Sequence, residues 1–139
     1  MSDITRFGVS LKSTLLEKFD HLIEQSGYKN RSEAIRDLIR DRMIAEEWAS
    51  SDRETVGVFS LIYSHEQREL NKTLTNIQHH YVDIIVSSTH IHIDHHNCLE
   101  VIILKGKSSL IKKITDELAS TKGVKHGKLI MTSTGSGLD

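Results

Sequence analysis

The sequence predicts an α+β chain of two units, a small β-α-α unit over residues 1–48 and a β-α-β-β-α-β unit over residues 55–133. Three observations carry this prediction. Phe7, Val9 and Leu11 alternate with Arg6, Gly8 and Ser10, the period of a half-exposed strand. Two runs with apolar residues at helical spacing follow it. Beyond the polar stretch Ala49–Glu54, strand and helix patterns alternate in the order of the ferredoxin-like split βαβ sandwich.

Each element has its own signals. Lys12 or Ser13 begins the first helix, with Leu15, Leu16, Phe19, Leu22 and Ile23 on one face, and Gly27 ends it as a left-handed cap. The second helix starts near Asn30 or Ser32. Asn30 and Glu33 have the spacing of a reciprocal cap, with Ser32 competing for the role. Its inward face is Ala34, Ile35, Leu38, Ile39 and Met43. A unit of about 48 residues is near the lower limit for an independent core. Its one strand is therefore expected to pair with the same strand of a second copy, as an antiparallel ribbon about a twofold axis. Joining the sheet of the second unit is the alternative.

In the second unit the expected order is strand Thr55–Tyr63, helix His65–Ile77 with Leu70, Leu74 and Ile77 inward, and a long strand Tyr81–Ile93. A return strand Cys98–Leu104 is broken at Gly106. Ser108 then caps a helix carrying Leu110, Ile111, Ile114 and Leu118, and Gly123 stops it. Strand Val124–Thr132 and a polar tail, Ser133–Asp139, complete the chain.

Composition narrows the function. The 139 residues carry 18 basic and 19 acidic side chains, so a blanket of positive charge is excluded and any nucleic-acid contact must be local. No apolar run approaches the roughly 20 residues of a membrane span. The N-terminus lacks a basic-then-apolar secretory form, and one cysteine makes no internal disulfide, so a cytoplasmic location is expected. Histidine is the outlier: of nine, six fall between His79 and His96.

His90 and His92 are two apart in a strand, so both imidazoles share a face; Ile91 and Ile93, on the other, are assigned to the core. A hairpin centred on His95 sets Cys98 opposite His92, bringing two imidazoles and a thiolate together. A slip of one residue would send Cys98 to the other face. His79 is the fourth candidate. With Tyr81–His90 extended it lies roughly 35 Å from His90, too far for its own site. It would complete the site of a neighbouring molecule, and an oligomer follows. Three imidazoles and a thiolate suit nickel, copper(II) or zinc; a planar site would favour the first two and a tetrahedral one zinc. Gln78 and Glu100 are either acceptors that orient an imidazole or plain surface groups. His95 and His96 are expected as turn residues, and His21, His65 and His126 as surface ones. No HExxH motif, phosphate loop or nucleophile elbow is present, and four ligands leave no open position, so the chain is not expected to be an enzyme.

A two-stranded ribbon fits the major groove of DNA, where Arg6, Gly8 and Ser10 would face base edges. Asn30, Arg31 and Ser32 at the start of the second helix suit a phosphate. Residues 1–45 hold eight basic and seven acidic side chains, a thin electrostatic footprint.

RFGVSL, GYKNRSEAIRDLIR, QHH, HIHIDHHNCLEVIILKG and GVKHGKL together resemble the nickel-responsive NikR repressor family over nearly the whole chain. The resemblance implies a ribbon-helix-helix DNA-binding domain (1–48) joined to a ferredoxin-like (ACT-like) domain (55–133) for nickel binding and tetramerisation. It implies a homotetramer, a dimer of dimers, that binds a palindromic operator in double-stranded DNA when nickel is present. By position, it implies one Ni(2+) per subunit in a planar site of His90, His92 and Cys98, with His79 from another subunit. It places base reading at Arg6, Gly8 and Ser10. It also implies a second cation, K(+), at Glu33 and Asp37 with carbonyls near Ala119, Thr121 and Val124. Two positions depart from the family: Gly8 stands where relatives often carry a base-contacting side chain, and Gln67 where some members have a DNA-touching lysine, with Arg68 beside it keeping the charge. A nickel storage or delivery protein is the alternative reading.

Overall fold

The computed structural model describes residues 3–50 and 53–139. In chain order it contains α1 (Ser13–Gln25), α2 (Arg31–Ala49), β1 (Glu54–Ser64), α3 (Arg68–His80), β2 (Ile85–His92), β3 (Asn97–Lys107), α4 (Ser108–Ala119) and β4 (Val124–Met131). The chain is α+β, as expected, and divides into two compact units, Met1–Asp41 and Arg42–Asp139. Residues 51 and 52 of the polar stretch fall outside the described residues.

In the first unit, residues 3–12 form no helix and no ladder within the chain. Phe7 and Val9 are 70% and 66% exposed, and Leu15, Leu22, Leu38 and Ile39 are also open. Among its described residues, only Ile23 and Ala34 are buried. An apolar face of this size left in water is the mark of an interaction surface. Gly27, at φ +83°, ends α1, and the Tyr28 amide donates to the Ile23 carbonyl. Asn30 settles the competition for the α2 cap: its Oδ1 accepts the Glu33 amide at 2.9 Å.

The second unit is a four-stranded antiparallel sheet in the order β2-β3-β1-β4, with α3 and α4 supplying the apolar cover of one face. Thr55, Phe59, Leu61 and Tyr63 of β1 and Cys98, Glu100, Ile102 and Leu104 of β3 are buried on that face. Leu70 and Leu74 of α3, with Ile111, Ile114 and Leu118 of α4, close the core. Trp48, near the end of α2, also belongs to it: 2% exposed, it donates Nε1–H to the Thr132 carbonyl at 2.9 Å. Trp48→Ala is expected to cost about 3–5 kcal/mol. Thermal unfolding of the metal-free protein checks this, and a loss below about 1 kcal/mol would contradict the packing.

Four expectations need correction. α3 begins at Arg68, not His65, because β1 runs on to Ser64, paired with Asn97, and Gln67 is still extended at φ −88°, ψ 94°. Residues 81–84 are a turn, closed by Ile84 and Ile85 amides on the Tyr81 carbonyl, so β2 starts at Ile85. Gly106 does not break β3; it pairs with Thr55, and a Cβ there would come within 2.8 Å of the Ile84 side chain. Ile91 and Ile93 are exposed, on the face opposite the helices. Directly paired residues point the same way, so His90 opposite Glu100 and His92 opposite Cys98 lie on the core side.

Candidate metal centre

The β2–β3 hairpin has the register that the site requires, with His92 paired to Cys98 and His90 to Glu100. Cys98 is a free thiol, 2% exposed, and its Sγ lies 3.8 Å from His90 Nδ1. The His92 ring turns instead to His65, with centroids 4.9 Å apart. The expected three-donor convergence is thus a diagonal thiol–imidazole contact, with the second imidazole, directly opposite Cys98, turned towards His65. Among the described residues, no three His, Cys, Asp or Glu side chains gather closely enough to hold an ion.

A polar network supports the hairpin from the core side. Glu100, 1% exposed, accepts Tyr63 O–H at 3.2 Å and Gln78 Nε2–H at 2.9 Å, and it also accepts from the Ser88 hydroxyl. His90 Nε2 lies 3.3 Å from the same carboxylate. Burial, followed by the Glu100 and Cys98 charges, pushes the Tyr63 phenol far above its ordinary range, so it stays a donor. Its oxygen also lies 3.2 Å from His90 Nδ1. Gln78 and Glu100 therefore connect α3 to a candidate ligand rather than facing solvent.

His79 follows Gln78 in the last turn of α3, about 100° further round the helix, and is exposed. The extended path that separated it from His90 does not exist, because 81–84 turn and the Gln78 side chain reaches Glu100 opposite His90. Chain length alone does not exclude His79 from its own site.

Residues 56–132 match the family described as NikR C terminal nickel binding domain, and residues 5–46 match the ribbon-helix-helix protein, copG family. The chain belongs to the nickel-responsive regulator family. Relatives named "Putative nickel-responsive regulator" occur in Thermococcus onnurineus, 58% identical over 95% of this chain and 96% of the relative, and in Pyrococcus furiosus, 56% identical over the same shares. One in Geotalea uraniireducens is 53% identical over 99% of both chains. An uncharacterized protein from Thermotoga maritima, TM1266, shares the fold with a TM-score of 0.51 at 11% identity, over 56% of this chain and 96% of that one. The family is one of regulators and not of enzymes.

The donors present suit a nickel-responsive regulator's ion. A buried thiol beside an imidazole, with a second imidazole across the hairpin, is a borderline-soft set. His65 was not anticipated as part of this region. It is half-buried, its Nε2 is buried without a hydrogen-bond partner, and with His92, Asp94 and His95 it lines a cavity of about 480 Å³. No spacing in the sequence marks it: it follows Ser64, which the fold pairs with Asn97. His95 and His96 do lie in the turn; His96 Nδ1 contacts Glu66 Oε1 at 3.0 Å.

Asp94 organises that turn. Its carboxylate accepts the His96 and Asn97 amides, each at 2.7 Å. The His96 amide first, then the Asn97 side chain and amide, hold its carboxyl down at about 2. A depressed value means stabilisation that is complete above the ordinary 3.8 and is lost as pH falls through 2. In the metal-free protein, NMR should show the Asp94 carboxyl titrating near 2. A midpoint at the ordinary carboxylate value would contradict the turn geometry.

Of the nucleic-acid candidates, Arg6, Gly8, Ser10, Ser32 and Arg68 are exposed, Arg68 as the first residue of α3. Asn30 is the α2 cap. Arg31 pairs with Asp20 through two bonds of 2.7 Å, holding that carboxyl below its usual range. Asp37 accepts Tyr28 O–H at 2.7 Å and pairs with Arg40 at 3.3 Å, while Glu33 is half-buried one helical turn before it. No described helix is long and apolar enough to cross a membrane.

Proposed function

We propose that the protein is a cytoplasmic transcriptional repressor, a homotetramer that binds a palindromic DNA operator when nickel occupies one site per subunit. Its ligands are His90, His92 and Cys98 of one subunit and His79 of another. The observation that carries this reading is the His92–Cys98 register with the His90–Cys98 contact, in a chain that belongs to this family. His79 fits the role of a shared ligand because its ring is exposed and β2 is an edge strand, open to a neighbour.

Nickel, when bound, supplies a cross-link that draws donors from two copies at once. This chain's residues transmit that link. Glu100 fixes His90 through Nε2 and holds Gln78 in the last turn of α3, so the orientation of His90 and the order of the helix bearing His79 depend on one carboxylate. Shifting a population from 1:99 to 99:1 takes about 5.5 kcal/mol, within the more than 10 kcal/mol that structural metal sites reach.

On the DNA side, Arg6 and Ser10 read base edges from a ribbon formed with a second copy, with Gly8 leaving one position unread. Residues 1–48 act as the DNA-binding domain and 55–133 as the nickel-binding and tetramerisation domain. Asn30, Arg31, Ser32 and Arg68 lie along the backbone, and Glu33 with Asp37 forms a second cation site, for potassium. Selection from random duplex DNA with and without stoichiometric nickel, at fixed salt, tests the whole reading. A palindrome enriched only with nickel is expected. Enrichment without metal dependence, or none with several ions bound per chain, contradicts it; the second result would favour nickel storage.

A further inference from the structure

We propose that Asp94 is a positioning residue of the nickel site: its carboxylate, by gathering the turn amides of His96 and Asn97, sets the hairpin register that places Cys98 opposite His92. This rests on the hairpin being the nickel site.

Register in a sheet is normally fixed by burial, because a slip of one residue turns every side chain to the other face. That restraint is weak here. β2 is an edge strand, and every residue from Val86 to His92 is exposed. The far end of the ladder already shifts, between Ile85 and Ser87. The correct pairing must therefore be imposed from the turn.

Asp94 is placed to do so. Its Oδ1 accepts the His96 and Asn97 amides at 2.7 Å, and its Oδ2 accepts Asn97 Nδ2–H at 3.1 Å. An aspartate that binds amides two and three residues on is a turn in which the side chain replaces a backbone acceptor. The Asn97 carbonyl closes the loop by accepting the Ile93 amide at 3.0 Å. Lys125 Nζ, at the start of β4, donates to Asn97 Oδ1, and the His96 carbonyl takes the His65 amide. The turn is thus held at a fixed length, with residue 97 anchored from outside. In a turn longer or shorter by one residue, Cys98 would face away from both histidines.

The test uses the full-length protein, nickel(II) as the probe, and the variants Asp94→Ala, Asp94→Asn and Cys98→Ser. Two quantities are read: the thiolate-to-nickel charge-transfer absorption per bound ion, and amide hydrogen exchange in the metal-free protein. Asp94→Ala should lower the absorption per bound nickel, weaken nickel binding about tenfold, and remove the protection of the His96 and Asn97 amides. Asp94→Asn keeps an acceptor oxygen and should recover most of all three. A mere loss of stability would weaken binding and leave the absorption per ion unchanged. Wild-type absorption, affinity within twofold and intact amide protection in Asp94→Ala would overturn the proposal and leave the nickel site standing. Equal damage from Asn and Ala would also overturn it. Absorption that survives Cys98→Ser would overturn the site itself, and the proposal with it.

Discussion

Cys98→Ser is expected to remove the thiolate-to-nickel absorption and to weaken nickel binding by at least about 100-fold. A hydroxyl remains protonated at neutral pH, so the variant offers a neutral oxygen where the wild type offers a soft thiolate, the donor that most favours late transition ions. The effect is on the site and not on the fold. Serine is close to cysteine in size, although Cys98 is 2% exposed and lies in the core, where burying a hydroxyl has a modest cost. Metal-free thermal stability should fall by about 1 kcal/mol, while nickel no longer raises it. Nickel titration followed by absorption, with unfolding measured on the same samples, checks both statements. Retention of tight nickel binding would remove Cys98 from the ligand set.

The second large effect is expected at Glu100. Removing its carboxylate, as in Glu100→Ala, leaves the Tyr63 hydroxyl, the Gln78 amide and the Ser88 hydroxyl without their shared acceptor, at a site 1% exposed. Unmade hydrogen bonds to a buried charged group cost about 1.5–3 kcal/mol each, and the released groups partly re-pair, so a loss of about 3 kcal/mol is expected. Nickel affinity should fall with it by about 10–100-fold, because His90 loses the group at its Nε2. Glu100→Gln, which keeps an acceptor for Gln78, should recover much of the stability and less of the affinity. Unfolding curves and nickel titrations of the two variants separate these effects. Equal nickel affinity in wild type and Glu100→Ala would break the proposed link between α3 and the ligand strand.

Some of this was legible from residue order alone. Gly27 ends α1 at φ +83°, Asn30 caps α2, and a turn centred near His95 gives the His92–Cys98 pairing, whereas α4 ends at Ala119 on a Ser120 cap, four residues before Gly123. These signals are local and each has one cheap solution. The side of the sheet that holds the core was not legible. Ile91 and Ile93 look like core residues, but β2 lies at an edge where apolar side chains stay exposed, and the opposing core positions include the polar Glu100 and Cys98. The start of α3 was missed because its competitor is distant in sequence: β1 runs on to Ser64 to pair with Asn97, and the His65 amide meets the His96 carbonyl. The same long-range contact brings His65 to His92, which no spacing rule reveals. Residues 3–12 pose a different problem, since their alternation asks for a partner that one chain does not contain.

The sharing of one site between two subunits is tested most directly by complementation. His79→Ala and Cys98→Ser chains, each unable to bind nickel tightly alone, are co-expressed in equal amounts and purified as mixed oligomers. If His79 serves a neighbour's site, a His79→Ala chain still offers His90, His92 and Cys98, and an adjacent Cys98→Ser chain offers His79. Random assembly then restores about a quarter of the sites, with thiolate-to-nickel absorption in the mixed oligomers and in neither parent. If His79 serves its own chain, every site in the mixture lacks one ligand. Mixed oligomers without the absorption would contradict the account.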